Sequence, residues 1–311
     1  MQTVKNYLSL VKFSHTIFAM PFAMIGFVLA LRYYPFHSGT ADPVTGFPGL
    51  VSGSDSLSAS YIIVKLVLVI ACMVFARSAA MAFNRYLDAH FDALNPRTAI
   101  REIPAGIISH SSALRFVIFN CIAFVICTWF INKICFFLSP IALFVILFYS
   151  YTKRFTPLCH LVLGLGLSLA PIGAYLAVTG EFSLLPVLFS LTVLFWVSGF
   201  DIIYALQDVD FDRSQQLYSI PAYFGKKRGL RISELLHLLS IITVVFAGIY
   251  AGFGTWYWLG VAVFISMLVY QHSIVKPEDL RKVNLAFMTA NGIASVVFAV
   301  FVILDLVLNQ A

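Results

Sequence analysis

The chain has 311 residues, 60% hydrophobic and only 11% charged, with a mean hydropathy of +0.92. Surface-to-volume scaling leaves a soluble chain of this length too little interior to hide that much apolar surface, so the composition excludes a soluble globular protein and favours a bilayer. The net charge of +6 belongs with membrane orientation rather than nucleic acid, because no Lys/Arg run is interleaved with aromatics on a polar surface.

A spanning helix needs about 20 mostly apolar residues. Nine candidate spans meet that need, at residues 14–33, 59–84, 111–131, 136–152, 159–179, 183–206, 235–253, 255–271 and 284–308. The first follows Lys5 and Lys12 and contains His15; it reads as a span rather than a cleaved leader because further spans follow. Residues 34–58 are Gly/Ser/Pro-rich with few charges, an irregular connection. The loops after the second and sixth spans are long and polar, and the others are short. The predicted fold class is therefore all-α, a polytopic membrane protein with residues 1–311 forming a single transmembrane domain.

Charge supports this map. With the N-terminus on the cytoplasmic side, most Lys and Arg fall on that side, Arg85 and Arg115 among them, and only Arg32, Lys65 and Lys133 fall on the other. That is a strong positive-inside bias. The cysteines Cys72, Cys121, Cys127, Cys135 and Cys159 sit in or beside apolar runs without a CxxC pair, and read as core or lipid-facing thiols. His90 and His110 show no metal-ligand spacing and read as structural or exposed.

The chain has 14 Asp and Glu, and two short segments hold Asp88 and Asp92, then Asp201, Asp208, Asp210 and Asp212. Both segments lie where an even-numbered span reaches the cytoplasmic side. Asn84, Asp88 and Asp92 are spaced to share one helical face, with Arg77 and Met81 extending the stripe into the membrane. Asn95-Pro96 ends that helix. Asp201, Tyr204, Asp208 and Asp212 share a face of the sixth span, whereas Asp210 falls opposite Asp208. Asp201 sits deepest, and an intramembrane acid is a functional site by default. Stacked carboxylates repel, and a divalent cation removes the penalty; Mg²⁺ prefers oxygen ligands and bridges carboxylates to substrate phosphates. Arg97, Arg101, Lys153, Arg154 and Arg213 follow these segments or end the fourth span, so metal and cations together suit a leaving diphosphate. Arg77 is intramembrane and calls for an acid or a substrate anion. Ile103-Pro104-Ala105 and Ile220-Pro221-Ala222 follow the two segments as a faint internal echo.

These residues resemble a known family. Asn84-x-x-x-Asp88-x-x-x-Asp92 followed by Asn95-Pro96-Arg97-Thr98 looks like the first signature of the UbiA superfamily of aromatic prenyltransferases, and Asp201-x-x-Tyr204-Ala205-x-x-Asp208-x-x-x-Asp212 looks like the second. Arg101-x-x-Pro104-x-Gly106, Tyr149-x-Tyr151-x-Lys153-Arg154 and the opening Lys12 to Pro21 also fit, the last in the 4-hydroxybenzoate-polyprenyltransferase-like branch. The resemblance implies a nine-helix bundle with a central cavity, Mg²⁺, a polyprenyl diphosphate donor and an aromatic acceptor. By this likeness Asn84, Asp88, Asp92, Asp208 and Asp212 hold metal and diphosphate. Arg97, Arg101, Lys153 and Arg154 meet the phosphates, while Asp201 stands near the acceptor with Arg77 and Tyr204. The choice among Asp208, Asp210 and Asp212 stays open.

The expected activity is Mg²⁺-dependent transfer of a polyprenyl group to a 4-hydroxybenzoate-like acid in ubiquinone or menaquinone biosynthesis. The expected place is the inner membrane, with the active-site loops cytoplasmic. A dihydroxynaphthoate acceptor is one alternative, and haem farnesylation another within the superfamily. A transporter with acidic cation sites is a third, though transporter acids usually lie near the midplane in broken helices. A CDP-alcohol phosphotransferase would need a DGxxAR element, which is missing.

Overall fold

The structure, a computed structural model, describes residues 2–11, 18–33 and 59–309. Lys12, His15 and the connection 34–58 lie outside the described residues. Among the described residues the chain is helical with no strand, only an isolated bridge between Lys276 and Asp279. The helices are α1 (Gln2–Leu10), α2 (Met20–Tyr33), α3 (Ala59–Leu87), α4 (Ala89–Leu94), α5 (His110–Ile131), α6 (Lys133–Thr152) and α7 (Cys159–Thr179). They continue as α8 (Leu184–Ala205), α9 (Val209–Ser214), α10 (Ile220–Phe224), α11 (Lys226–Ala251), α12 (Thr255–Ile274) and α13 (Asn291–Leu308).

Eight segments are long and apolar enough to cross a membrane, and α2 adds a shorter apolar helix, Met20–Arg32. The chain is a polytopic membrane protein. Isoleucines and phenylalanines such as Ile118, Phe119, Ile122, Phe137 and Phe144 are half or more exposed, which a soluble surface rarely tolerates in such density. Eight of the nine expected segments recur as these spans; the first, at 14–33, lies partly outside the described residues and appears as the shorter α2. Two of the eight differ in detail. The seventh starts at Lys226 rather than 235, because Lys and Arg are good helix formers that hydropathy cannot see. The last opens with a π-helical stretch, Leu285–Ala290.

Small residues let the helices close around the site. A Cβ on Gly26 would lie 2.0 Å from the Pro171 carbonyl oxygen, so α2 and α7 touch through their backbones. Polar groups inside the bundle find partners, as an apolar medium requires. Trp196, fully buried, donates Nε1–H to Asn291 Oδ1 at 2.9 Å, tying α8 to α13 just after the π-helical stretch. Lys65, assigned to the outer side, is 6% exposed, and its ammonium donates to the Ile131 carbonyl at the end of α5, where the helix dipole favours a cation.

Candidate active site

The two acid segments break their helices at the same place. α3 ends at Leu87, Asp88 adopts φ −89°, ψ 5°, and α4 resumes at Ala89. α8 ends at Ala205, passes through a 3₁₀ turn at Leu206–Asp208, and α9 follows; Asp208 adopts φ −104°, ψ 3°. Both aspartates occupy the bridge region where active-site residues are frequent. The expected single stripes are therefore bent at their middle acid, and each carboxylate turns to a separate base.

Three of these pairs cross between segments, and the Asp92–Arg101 pair closes within its own. Arg97, from the loop after α4, grips Asp208 with Nη2 at 2.6 Å from Oδ2 and 2.8 Å from Oδ1, and donates Nη1–H to the Tyr204 hydroxyl at 3.0 Å. Burial alone would lower its pKa, but Asp208 and Tyr204 outweigh that and raise it. Lys153 and Arg154, adjacent at the exit of α6, diverge: Lys153 Nζ lies 2.7 Å from Asp212 Oδ1, and Arg154 Nη2 lies 3.0 Å from Asp88 Oδ1. Lys153 is likewise raised, burial being overcome by Asp212. Arg101 Nη1 is 2.6 Å from Asp92 Oδ1, and Asn84 Nδ2 donates to Asp88 Oδ2 at 3.0 Å. Asp88 is held above its ordinary carboxyl value by burial, against the pull of Arg154 and Lys153. Asp201 meets His160, Oδ2 to Nδ1 at 2.6 Å.

The loops are folded to serve these contacts. Asn95 Oδ1 accepts the Arg97 amide at 3.0 Å, and Thr98 Oγ1 donates to the Asp92 carbonyl at 3.0 Å. Tyr218 donates its amide to the Lys153 carbonyl at 2.7 Å, and Ser219 both caps α10 and donates to Asp212 Oδ2 at 3.0 Å. Ile220-Pro221-Ala222 opens α10, whereas Ile103-Pro104-Ala105 lies in turns, so the two echoes differ in local structure.

A cavity of about 670 Å³ receives all of this, within the usual range for small-molecule sites. Arg77, Asn84, Asp88, Asp92, Arg97, Arg101, Lys153, Arg154, Asp201, Tyr204, Asp208 and Asp212 all line it. Asp210 does not; its side chain is 89% exposed, 3.9 Å from Lys226. Beyond the polar mouth the lining is apolar and continues to Val69, Ile131 and Leu176. From Asp88 to Val69 along α3 that is roughly 28 Å at 1.5 Å per residue, close to a bilayer's hydrocarbon thickness. Arg77 faces this cavity mid-span, and among the described residues its Nε has no hydrogen-bond partner.

Several residues of the site went unread in the sequence. Arg85 passed as a positive-inside charge, yet it is 4% exposed, lines the cavity and lies 3.8 Å from Asp92 Oδ2. His160 carried one signal: an intramembrane acid such as Asp201 demands a partner. Phe287, on the π-helical stretch, packs against Tyr204 with ring centroids 4.3 Å apart and the planes tilted by 33°; π-bulges often mark functional sites.

The donor set suits Mg²⁺. Asp92 Oδ2 is buried without a hydrogen bond among the described residues, and the other donors are hard oxygens. No three His, Cys, Asp or Glu side chains gather as a ready cage among the described residues.

The chain is similar to several known proteins. The UbiA prenyltransferase family profile matches residues 44–293. A 4-hydroxybenzoate octaprenyltransferase of Francisella tularensis subsp. novicida (strain U112) is 29% identical over 231 residues, 74% of this chain and 81% of that protein. One from Tolumonas auensis is 29% identical over 236 residues, 76% of this chain and 82% of that protein. The apo structure of a UbiA homologue from Aeropyrum pernix K1 superposes with a TM-score of 0.74 at 28% identity, covering 96% of this chain and 98% of the other. A UbiA homologue from Archaeoglobus fulgidus, solved with GPP and Mg²⁺, shares the fold with a TM-score of 0.68 at 18% identity, covering 97% and 99%. With acids and bases of two distant segments meeting over an apolar cavity, the chain belongs to the UbiA prenyltransferase family.

Proposed function

We propose that residues 1–311 act as one transmembrane domain that transfers a polyprenyl group from polyprenyl diphosphate to a hydroxylated aromatic acid of the 4-hydroxybenzoate type, dependent on Mg²⁺, in quinone biosynthesis. The observation that carries this reading is a single cavity with a mouth of paired acids and bases and an apolar body about as long as a bilayer is thick. The names of the Francisella and Tolumonas relatives support the acceptor class. The GPP- and Mg²⁺-bound Archaeoglobus relative supports the donor and the metal. The charge bias supports an inner-membrane protein with the mouth on the cytoplasmic side.

In this reading Asn84, Asp88, Asp92, Asp208 and Asp212 hold the metal, which when bound neutralises charge on the diphosphate. Arg97, Arg101, Lys153 and Arg154 exchange their carboxylate partners for phosphate oxygens. The apolar walls take the prenyl chain and keep water from the reacting carbon. The allylic C–O bond breaks, and its electron pair leaves with the diphosphate. A ring carbon of the acceptor forms the new C–C bond, and the proton it loses passes to a carboxylate, for which Asp201 is our candidate. Arg77, facing the cavity from mid-span, pairs with the acceptor's carboxylate, and Tyr204 packs beside it. The test is transfer of radiolabelled prenyl group in membranes with and without EDTA, with mass spectrometry over a panel of hydroxylated aromatic acids, dihydroxynaphthoates included. Prenylated 4-hydroxybenzoate that vanishes with EDTA is the expected result; no prenylated product from any acid removes the reading.

A further inference from the structure

The mechanism above leaves one buried partner unused. His160 lies in the first turn of α7 and is 2% exposed. Its Nδ1 is 2.6 Å from Asp201 Oδ2, and its Nε2 is 3.3 Å from the Ile220 backbone nitrogen. A backbone N–H can only donate, so Nε2 carries the lone pair. The ring proton therefore sits on Nδ1 and is donated to Asp201. The first residue of α10 thus sets the tautomer of a residue on α7.

The imidazole is held from behind as well. Ser198 Oγ donates to the His160 carbonyl at 3.1 Å. One turn further along α7, a Cβ on Gly164 would lie 2.3 Å from Ser198 Oγ and 2.5 Å from the Leu194 carbonyl oxygen. α7 and α8 thus run in backbone contact beside the pair, which leaves the ring little freedom to turn. With Oδ2 taken by His160, Asp201 has one oxygen left. Oδ1 accepts no hydrogen bond among the described residues, and the side chain is 23% exposed on the cavity wall.

We infer that His160 is a positioning residue: it fixes Asp201 by one oxygen so that the other faces the acceptor carbon that loses its proton. The inference rests on the reading of Asp201 as the acceptor-facing carboxylate. His160 acts through Asp201, so its loss separates acceptor kinetics from donor kinetics.

Two substitutions divide its hydrogen bonds. Asn at 160 carries an amide nitrogen near the Nδ1 position and keeps the donor to Asp201. Gln reaches the Nε2 position, keeps an acceptor for Ile220 and loses that donor. Membranes holding the full chain are assayed with 4-hydroxybenzoate and a polyprenyl diphosphate. His160→Gln should lower kcat/KM for the acid on the order of 100-fold, the cost of a misplaced group, with KM for the diphosphate unchanged, and His160→Asn should recover most of the loss. Equal loss in both variants, a shared fall in donor and acceptor parameters with lowered heat resistance, or wild-type acceptor kinetics in His160→Gln overturns the inference. Asp201→Asn separates the levels. If it abolishes transfer while His160→Gln is normal, only the positioning role falls; if it transfers normally, the acceptor reading falls and takes the inference with it.

Discussion

Lys153 and Asp212 form a pair whose two ends are unequally buried, and that asymmetry yields a numerical expectation. The Asp212 side chain is 0% exposed and that of Lys153 is 34% exposed. Lys153→Met strands a carboxylate in the interior with only the Ser219 hydroxyl, 3.0 Å away, still bound to it. Leaving one member of a buried pair without its partner costs about 3–5 kcal/mol, and the surviving hydroxyl contact puts this case near the lower end. Asp212→Asn strands instead an ammonium that can turn into the polar mouth, and costs about 1 kcal/mol. The double variant removes both charges and should recover about 1–3 kcal/mol relative to the sum of the singles. Heat inactivation in detergent, read as the residual folded fraction, ranks the four proteins. The expected order of stability places Lys153→Met last and the double variant above it. Equal losses in the two singles, or strict additivity in the double, would refute the reasoning that burial sets the penalty.

Three further outcomes are expected. Burial raises the Asp88 carboxyl above its ordinary value of 3.8, so the folded protein binds that proton more tightly than the unfolded chain, and this contribution to stability is full in acid and lost as pH rises through the folded value. In EDTA, Asp88→Asn should therefore gain stability relative to wild type as pH increases from about 4 to about 8; parallel melting curves across that range contradict this. Arg97→Lys keeps the charge but loses the fork that holds Asp208 through two nitrogens; KM for the diphosphate should rise while KM for the acid stays put. Asp208→Asn should reduce Mg²⁺-dependent transfer on the order of 100-fold or more, while Asp210→Asn, a change on a solvent-facing side chain, should keep it within about twofold. Initial rates with each variant decide the comparison.

Much of this molecule is readable without coordinates because a bilayer imposes a coarse rule. Runs of about 20 apolar residues are unmistakable, and Asp88, Asp92, Asp208 and Asp212 stand out against so few charges. What escapes is whatever depends on direction. Arg85 at the end of α3 looks like any orienting charge until its burial against Asp92 is known. Spacings of four place Asp88 and Asp208 on helical stripes but say nothing of the bends at those residues. His160 escapes because its partners come from α8 and from the first residue of α10. The start of α11 escapes for another reason: hydropathy measures the membrane, and the first turns of that helix, with Lys226 and Lys227, are charged.

The four acid–base pairs at the mouth, Asp88 with Arg154, Asp92 with Arg101, Asp208 with Arg97 and Asp212 with Lys153, leave it nearly neutral. Stray ions therefore gain little by lodging there. On the proposed reading, an anion that arrives with its own cations swaps partners with these pairs and orphans no charge, whereas a naked anion would strand their carboxylates.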